Sequence, residues 1–199
     1  MKIITSLKLA SIATLGFILG IVLFFPWQSI GDYVMSRWLA VAAENGIYAT
    51  VEGCDAEGLI DKEFVYQSIT ADFPVFRFSV GEIRVNPAFI SSLLSRKFSC
   101  SVKLGRGEIM PVTRQKLEWT SASAAIFVEK EFISVRDIAF FGNFSARGFF
   151  EISRETGQIL RANMVLHLPE DMDRAFEMLS RSGMVPLTKI KTGEWKVER

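Results

Sequence analysis

Val75-Phe76-Arg77-Phe78-Ser79-Val80 alternates apolar and polar side chains with a period of two. Successive side chains of a strand point to opposite faces. Phe76, Phe78 and Val80 therefore share one face, and Arg77 and Ser79 the other. Glu82–Val85 extends the pattern, and Phe98-Ser-Cys-Ser-Val-Lys-Leu104 repeats it. Further runs of this kind are Ile47–Gly53, Glu63–Ala71, Leu117–Thr120, Ala124–Glu129, Phe132–Phe141, Asn143–Ser153 and Gln158–Leu168. Gly105-Arg-Gly107 reads as a turn from which Glu108–Val112 returns as a hairpin, and Glu155-Thr-Gly157 as a tight hairpin turn. One apolar and one polar face per strand is the signature of an antiparallel sheet covered on one side.

Helical spacing interrupts the strands in three places. Asn86-Pro87 opens a short helix through Ser95, with Asn at the cap and Pro at the first helical position. Pro169 starts another, in which Glu170, Asp171 and Asp173 favour the positive end of the helix dipole as a solvated acidic start. Ala175, Phe176 and Leu179 give it an apolar face, and Gly183 ends it. Upstream, Gln28–Asn45 carries Ile30, Val34, Trp38 and Val41 as one apolar stripe, with Trp38 expected in the core. Gly46 is its expected stop. The tail, Pro186–Arg199, offers Trp195-Lys-Val197 as a last short strand.

The segment Leu9–Phe25 holds no charge, and with Pro26 and Trp27 the uncharged stretch reaches 19 residues. A helix needs about 20 such residues to span the hydrocarbon core. A cleaved signal peptide has a shorter apolar region ended by small residues, whereas this run ends Leu23-Phe-Phe-Pro-Trp27. An uncleaved anchor is the expectation, with Leu9 and Phe25 inside the bilayer and Trp27 at the far interface. Lys2 and Lys8 precede the run, which places the N-terminus in the cytosol and the rest across the membrane. The expected organisation is an anchor over residues 1–27, an amphipathic helix over 28–46 and a β-rich domain over 47–199.

The composition excludes several functions. Formal net charge is +1 with no long basic run, which argues against a nucleic-acid partner. A single histidine, His167, cannot build a multi-histidine metal site. It lies in a strand pattern, Val165-Leu-His-Leu168, rather than in a catalytic constellation. No nucleophile elbow and no phosphate-binding loop occurs, so neither an enzyme nor a cofactor is expected. Asn143-Phe-Ser145 matches a glycosylation sequon, which matters only in a eukaryotic secretory pathway. The two cysteines, Cys54 and Cys100, read as unpaired thiols in or near strands, with a disulfide between them as the alternative.

The order of these features resembles the type II secretion system protein N family, and more loosely the AsmA-like periplasmic proteins. The resemblance rests on Phe25-Pro-Trp27, on Ala42-Ala-Glu-Asn-Gly46-Ile, on Asn86-Pro87 and on Gly183-Met-Val-Pro-Leu-Thr-Lys-Ile-Lys-Thr-Gly-Glu-Trp195. It implies an inner-membrane, periplasm-facing accessory component, with the bilayer and other secretion or envelope proteins as partners. The AsmA-like relatives imply a curled, trough-like sheet whose apolar face handles phospholipid. The candidate lining of such a face is Phe76, Phe78, Val80, Val102, Leu104, Ile126 and Val128.

Overall fold

The computed structural model describes residues 13, 14, 16, 17, 20, 23–44, 46–58, 62–73, 76–89, 92, 97–111, 116–182 and 186–199. Ala13, Thr14, Gly16, Phe17, Gly20, Leu23 and Phe24 are helical. The rest of the expected anchor before Leu23, Leu9 included, lies outside the described residues. Among the described residues no helix is long and apolar enough to cross a membrane.

Pro26 separates these residues from α1, Trp27–Glu44. Gly46 ends α1 as its sequence position suggests. Its φ of +74° is a left-handed conformation, and its amide donates to the carbonyl of Ala43. The strands follow as β1 Tyr48–Thr50, β2 Gly53–Glu57, β3 Glu63–Asp72, β4 Phe76–Pro87, β5 Phe98–Leu104 and β6 Gly107–Pro111. Next come β7 Leu117–Val128, β8 Phe132–Gly142, β9 Ser145–Ser153 and β10 Ile159–His167. The chain closes with α2 Glu170–Ser182, β11 Leu187–Lys191 and β12 Glu194–Glu198.

All the described strands join one 12-stranded sheet in the order β1-β3-β4-β5-β7-β8-β9-β10-β12-β11. The described pairings are antiparallel, so the mainly-β antiparallel expectation holds. The near-sequential order is that of a meander, which short turns produce without crossovers.

Several local expectations change. Gly105-Arg106 is not a hairpin turn: β5 and β6 do not fold back on one another but lie end to end between β4 and β7. Gly105 donates to Glu82 and Gly81 to Arg106 across the break, so the neighbouring strand bridges the interruption. The period-two signal is the same for a hairpin and for a strand with an extra residue, and only the pairing distinguishes them. Leu117–Thr120 and Ala124–Glu129 merge into the single long β7. Pro87 is the last residue of β4, opposite Cys100, and not the first of a helix. Phe89 and Ser92 are helical, and Ser92 donates to Ala88, so the helix begins later than expected. The remainder of that segment lies outside the described residues.

Facing residues of antiparallel neighbours share a side of the sheet. Following the register from strand to strand gives one row: Cys54, Tyr66, Ile83, Leu104, Ala122, Phe140, Ala146, Leu166, Trp195. Every member belongs to the hydrophobic core or packs on it. This row is the spine of the fold. The row through Val65, Arg84, Lys103, Ser123, Ala139, Arg147, Val165 and Lys196 lies on the other side and is largely polar.

Candidate functional site

The apolar side is closed at its two ends by helices. At the first end α1 lies on β1 and β2, with Gly31 and Ala42 buried. Gly31 is required there: a Cβ at this position would stand 2.5 Å from Cys54 Sγ and 2.9 Å from Phe64 Cδ1. Tyr66 donates its hydroxyl to the Gly31 carbonyl at 3.3 Å. At the other end Trp195 is buried beside α2, 6.0 Å from the Phe176 ring.

Between these ends the seven lining candidates divide. Their register neighbours place them on the apolar face, but not at equal depth. Val80 is fully buried, and Phe78 packs on Trp119 with ring centroids 5.5 Å apart. Leu104 packs against the same core. Phe76 stacks on Phe73 at 4.3 Å. Val102, Ile126 and Val128 are only half-buried and do not join the described core cluster.

Ile126 and Val128 belong to a second zone with more members than the seven candidates. One row runs Pro87, Cys100, Ile126, Val135, Phe150, Ala162. The next runs Phe98, Val128, Ile133, Ile152, Ile159. Apart from Pro87 and Ala162, these side chains are half-buried or exposed, with Phe98 at 45 % and Ile159 at 37 % at the two margins. Val135, Phe150, Ile133 and Ile152 were missed as lining. The alternation in Phe132–Phe141 and Asn143–Ser153 contained them, but the face they share with Ile126 follows only from the register. The result is a sheet face whose spine is a closed core and whose lower rows form an apolar strip partly open to solvent.

Trp119 explains why the closed part is dense. It is nearly fully buried, and its strand neighbours on both sides are Gly107 and Gly142. A Cβ on Gly107 would come 2.3 Å from Trp119 Cζ2. Phe140 and Phe144 meet the indole edge-on at 5.7 and 6.4 Å. Such aromatic contacts add about 0.5–1.5 kcal/mol each beyond the area they bury.

Cys54 and Cys100 are free thiols. They sit on β2 and β5, with β3 and β4 between them, about 14 Å of sheet at ordinary strand spacing. That exceeds the reach of a disulfide. Burial pushes both thiols above their ordinary value. His167 is exposed on β10, opposite Ser145 and Glu194. Asn143 spends its side chain on β7, accepting from the Glu118 amide at 2.8 Å and donating to the Lys116 carbonyl at 3.1 Å. Phe25 is 41 % exposed, and its ring lies 4.9 Å from Trp27. Trp27 is half-buried against Phe89 and beneath the Lys62 ammonium, at 5.7 Å from each.

Asp173 is a correction. It is buried, not part of a solvated acidic start. Its Oδ1 accepts from Trp195 Nε1 at 2.8 Å and from the Gly193 amide at 3.2 Å, and its Oδ2 accepts from Lys189 at 2.5 Å. Trp38 is a second correction. It is 46 % exposed, because α1 turns Gly31, Met35 and Ala42 to the sheet instead.

On the polar side, Arg136, Arg147 and Arg161 surround Glu151 in a shallow depression of about 640 Å³. Arg136 and Arg161 reach Glu151 only at 3.8 and 3.9 Å, and Arg136 donates to the buried Ser134 hydroxyl at 2.8 Å. Among the described residues no group of His, Cys, Asp and Glu is arranged to hold a metal ion.

These features define a class: a single broad antiparallel meander with one polar face and one apolar face, helix-capped at both ends. The chain belongs to the GspN-like family of type II secretion system proteins, since a model of that family, described as Synergistales, matches residues 5–199. No curated protein and no solved structure matches the chain.

Proposed function

We propose that the chain is a membrane-anchored, periplasm-facing accessory or scaffold component of a type II secretion system, acting by binding and not by catalysis. The observation that carries this reading is the family match, which extends over residues 5–199 and so takes in both the uncharged N-terminal run and the whole sheet. The sheet supports it by offering an extended charged face on a rigid frame, suited to docking other envelope proteins. The anchor is supported by the uncharged run Leu9–Phe25 behind Lys2 and Lys8. Alkaline phosphatase fused after Arg199 in a Gram-negative host should be active, and the mature chain should keep its N-terminus. Activity of a cytosolic reporter alone would overturn the topology. Affinity capture of the full chain should bring down inner-membrane secretion proteins, and capture of none of them would overturn the scaffold role.

One observation favours a second reading, in which the apolar face binds phospholipid. The half-open rows from Pro87 to Ala162 and from Phe98 to Ile159 are a wide apolar strip for a chain in water. Acyl chains would lie along it. Full chain purified in mild detergent should then carry phospholipid that is lost in Ile126→Glu and Phe150→Glu. Equal lipid in the native chain and both variants would eliminate this reading.

A further inference from the structure

Beside the side that α1 packs on the sheet runs an exposed apolar stripe. Tyr33 is 66 %, Val34 55 %, Trp38 46 % and Val41 52 % exposed. At about 100° per residue, Val34, Trp38 and Val41 form one stripe about 70° from the Gly31, Met35 and Ala42 side, Arg37 and then Tyr33 lie beyond it away from the sheet, and Asp32 and Ser36 lie on the opposite side. Tyr48, just past the helix, is also exposed. Trp and Tyr with an arginine along one side of a helix is the composition of a membrane interface: the rings are apolar with a wet tip, and the guanidinium reaches toward phosphate.

Chain geometry supplies the neighbour. Phe24 and Phe25 are exposed, and only Pro26 stands between them and α1. If the uncharged run is in the hydrocarbon, Pro26-Trp27 allows about 7 Å of departure from it. The headgroup layer is itself about 5–8 Å thick. The start of the helix therefore lies in that layer. The sheet occupies the side with Gly31, Met35 and Ala42, and insertion of the exposed apolar stripe beside that side would hold the rest of the helix along the same layer.

We propose that α1 lies in the headgroup layer with Val34, Trp38 and Val41 inserted, and so fixes the β1–β2 end of the sheet on the bilayer. This rests on the anchor reading. It makes the spine from Cys54 to Trp195 run from a membrane-proximal to a distal end, about 38 Å over its eight strand spacings. The apolar face then starts at the lipid surface.

The test is site-directed spin labelling of the full chain in phosphatidylethanolamine–phosphatidylglycerol vesicles, in a Cys54→Ala, Cys100→Ser background whose folding is checked by circular dichroism. Labels are placed singly at 32, 34, 36, 38 and 41, and at Leu19 in the uncharged run. Collision with oxygen over a water-soluble nickel complex is expected to be high at 34, 38 and 41 and low at 32 and 36, following the helical period. Equal nickel access at all five α1 positions, with Leu19 in the bilayer, overturns the proposal and leaves the anchor standing. Nickel access at Leu19 as well removes the anchor reading. Shielding of 34, 38 and 41 from both reagents overturns the proposal in favour of a protein partner.

Discussion

The indole N–H of Trp195 donates to the Asp173 carboxylate at 2.8 Å, which ties the last hairpin to α2. Lys189, on the other strand of that hairpin, reaches the same carboxylate and also Glu177 at 2.6 Å. The Gly-Glu-Trp signature near the C-terminus is therefore a structural clasp. Trp195→Ala should cost about 3–5 kcal/mol, the range for removing a buried large aromatic. Denaturant unfolding of the full chain followed by circular dichroism measures it. A cost under about 1 kcal/mol would mean that the clasp does not hold the end of the sheet.

The same carboxylate should make the fold acid-sensitive. Asp173 lies below its ordinary value of 3.8, chiefly through the Lys189 hydrogen bond, and then through those from Trp195 and Gly193. A carboxyl with a folded value below its unfolded one adds stability that is complete above the unfolded value. That stability is lost as pH falls through the folded value. Below about pH 4 the Tm of the native chain should therefore drop more steeply than that of Asp173→Asn, which is less stable at pH 7. Parallel curves for the two proteins from pH 7 to pH 2.5 would rule out this role.

Gly31 should tolerate no side chain. Gly31→Ala puts a methyl against Cys54 Sγ and Phe64, and overpacking of this kind costs about 1–3 kcal/mol. Gly53→Ala, where nothing lies within 4 Å of the added Cβ, is the control and should change stability by less than about 0.5 kcal/mol. Equal stability of the two variants would show that α1 is not seated on Cys54 and Phe64.

Gly107 and Trp119 should behave as a coupled pair. Gly107→Ala forces a Cβ into the indole and to 2.6 Å from the Ser79 carbonyl oxygen, and a Trp119→Leu background removes the first of these clashes. The double mutant should be more stable than the sum of the single effects by about 0.5–3 kcal/mol, the range for residues in contact. Additive effects would place the indole elsewhere.

His167 should be dispensable. It is exposed at the end of β10, and His167→Ala is expected to shift stability by no more than about 0.5 kcal/mol and to leave secretion unchanged. Loss of secretion by a folded, abundant His167→Ala protein would reopen the question of catalysis.

Most of the strands were legible because period-two alternation is a local property of any half-buried strand. Phe132–Phe141 and Gln158–Leu168 correspond closely to β8 and β10. The Glu155–Gly157 turn is there, with Gly157 at φ +68°. Residues whose partners are distant in sequence were not legible. Asp173 looked like a solvated helix start, because nothing local tells a carboxylate facing water from one facing Trp195, 22 residues on. Trp38 looked like core, because a helix with apolar residues all along one stripe does not say which neighbour that stripe meets.

The sequence by itself determined the helix-then-sheet order, the antiparallel class, the stop at Gly46 and the resemblance to the secretion family, since each depends on spacing or on short signatures along the chain. Tertiary structure alone decided the register. That register makes β5 and β6 one interrupted path, keeps Cys54 and Cys100 apart and aligns nine strands into one spine. It also decided which side of α1 is spent on the sheet. The physical reason is that alternation fixes only which side chains share a face within one strand. Which faces meet, and which stay open, depends on pairings between residues far apart in sequence, chosen by the packing of the whole sheet.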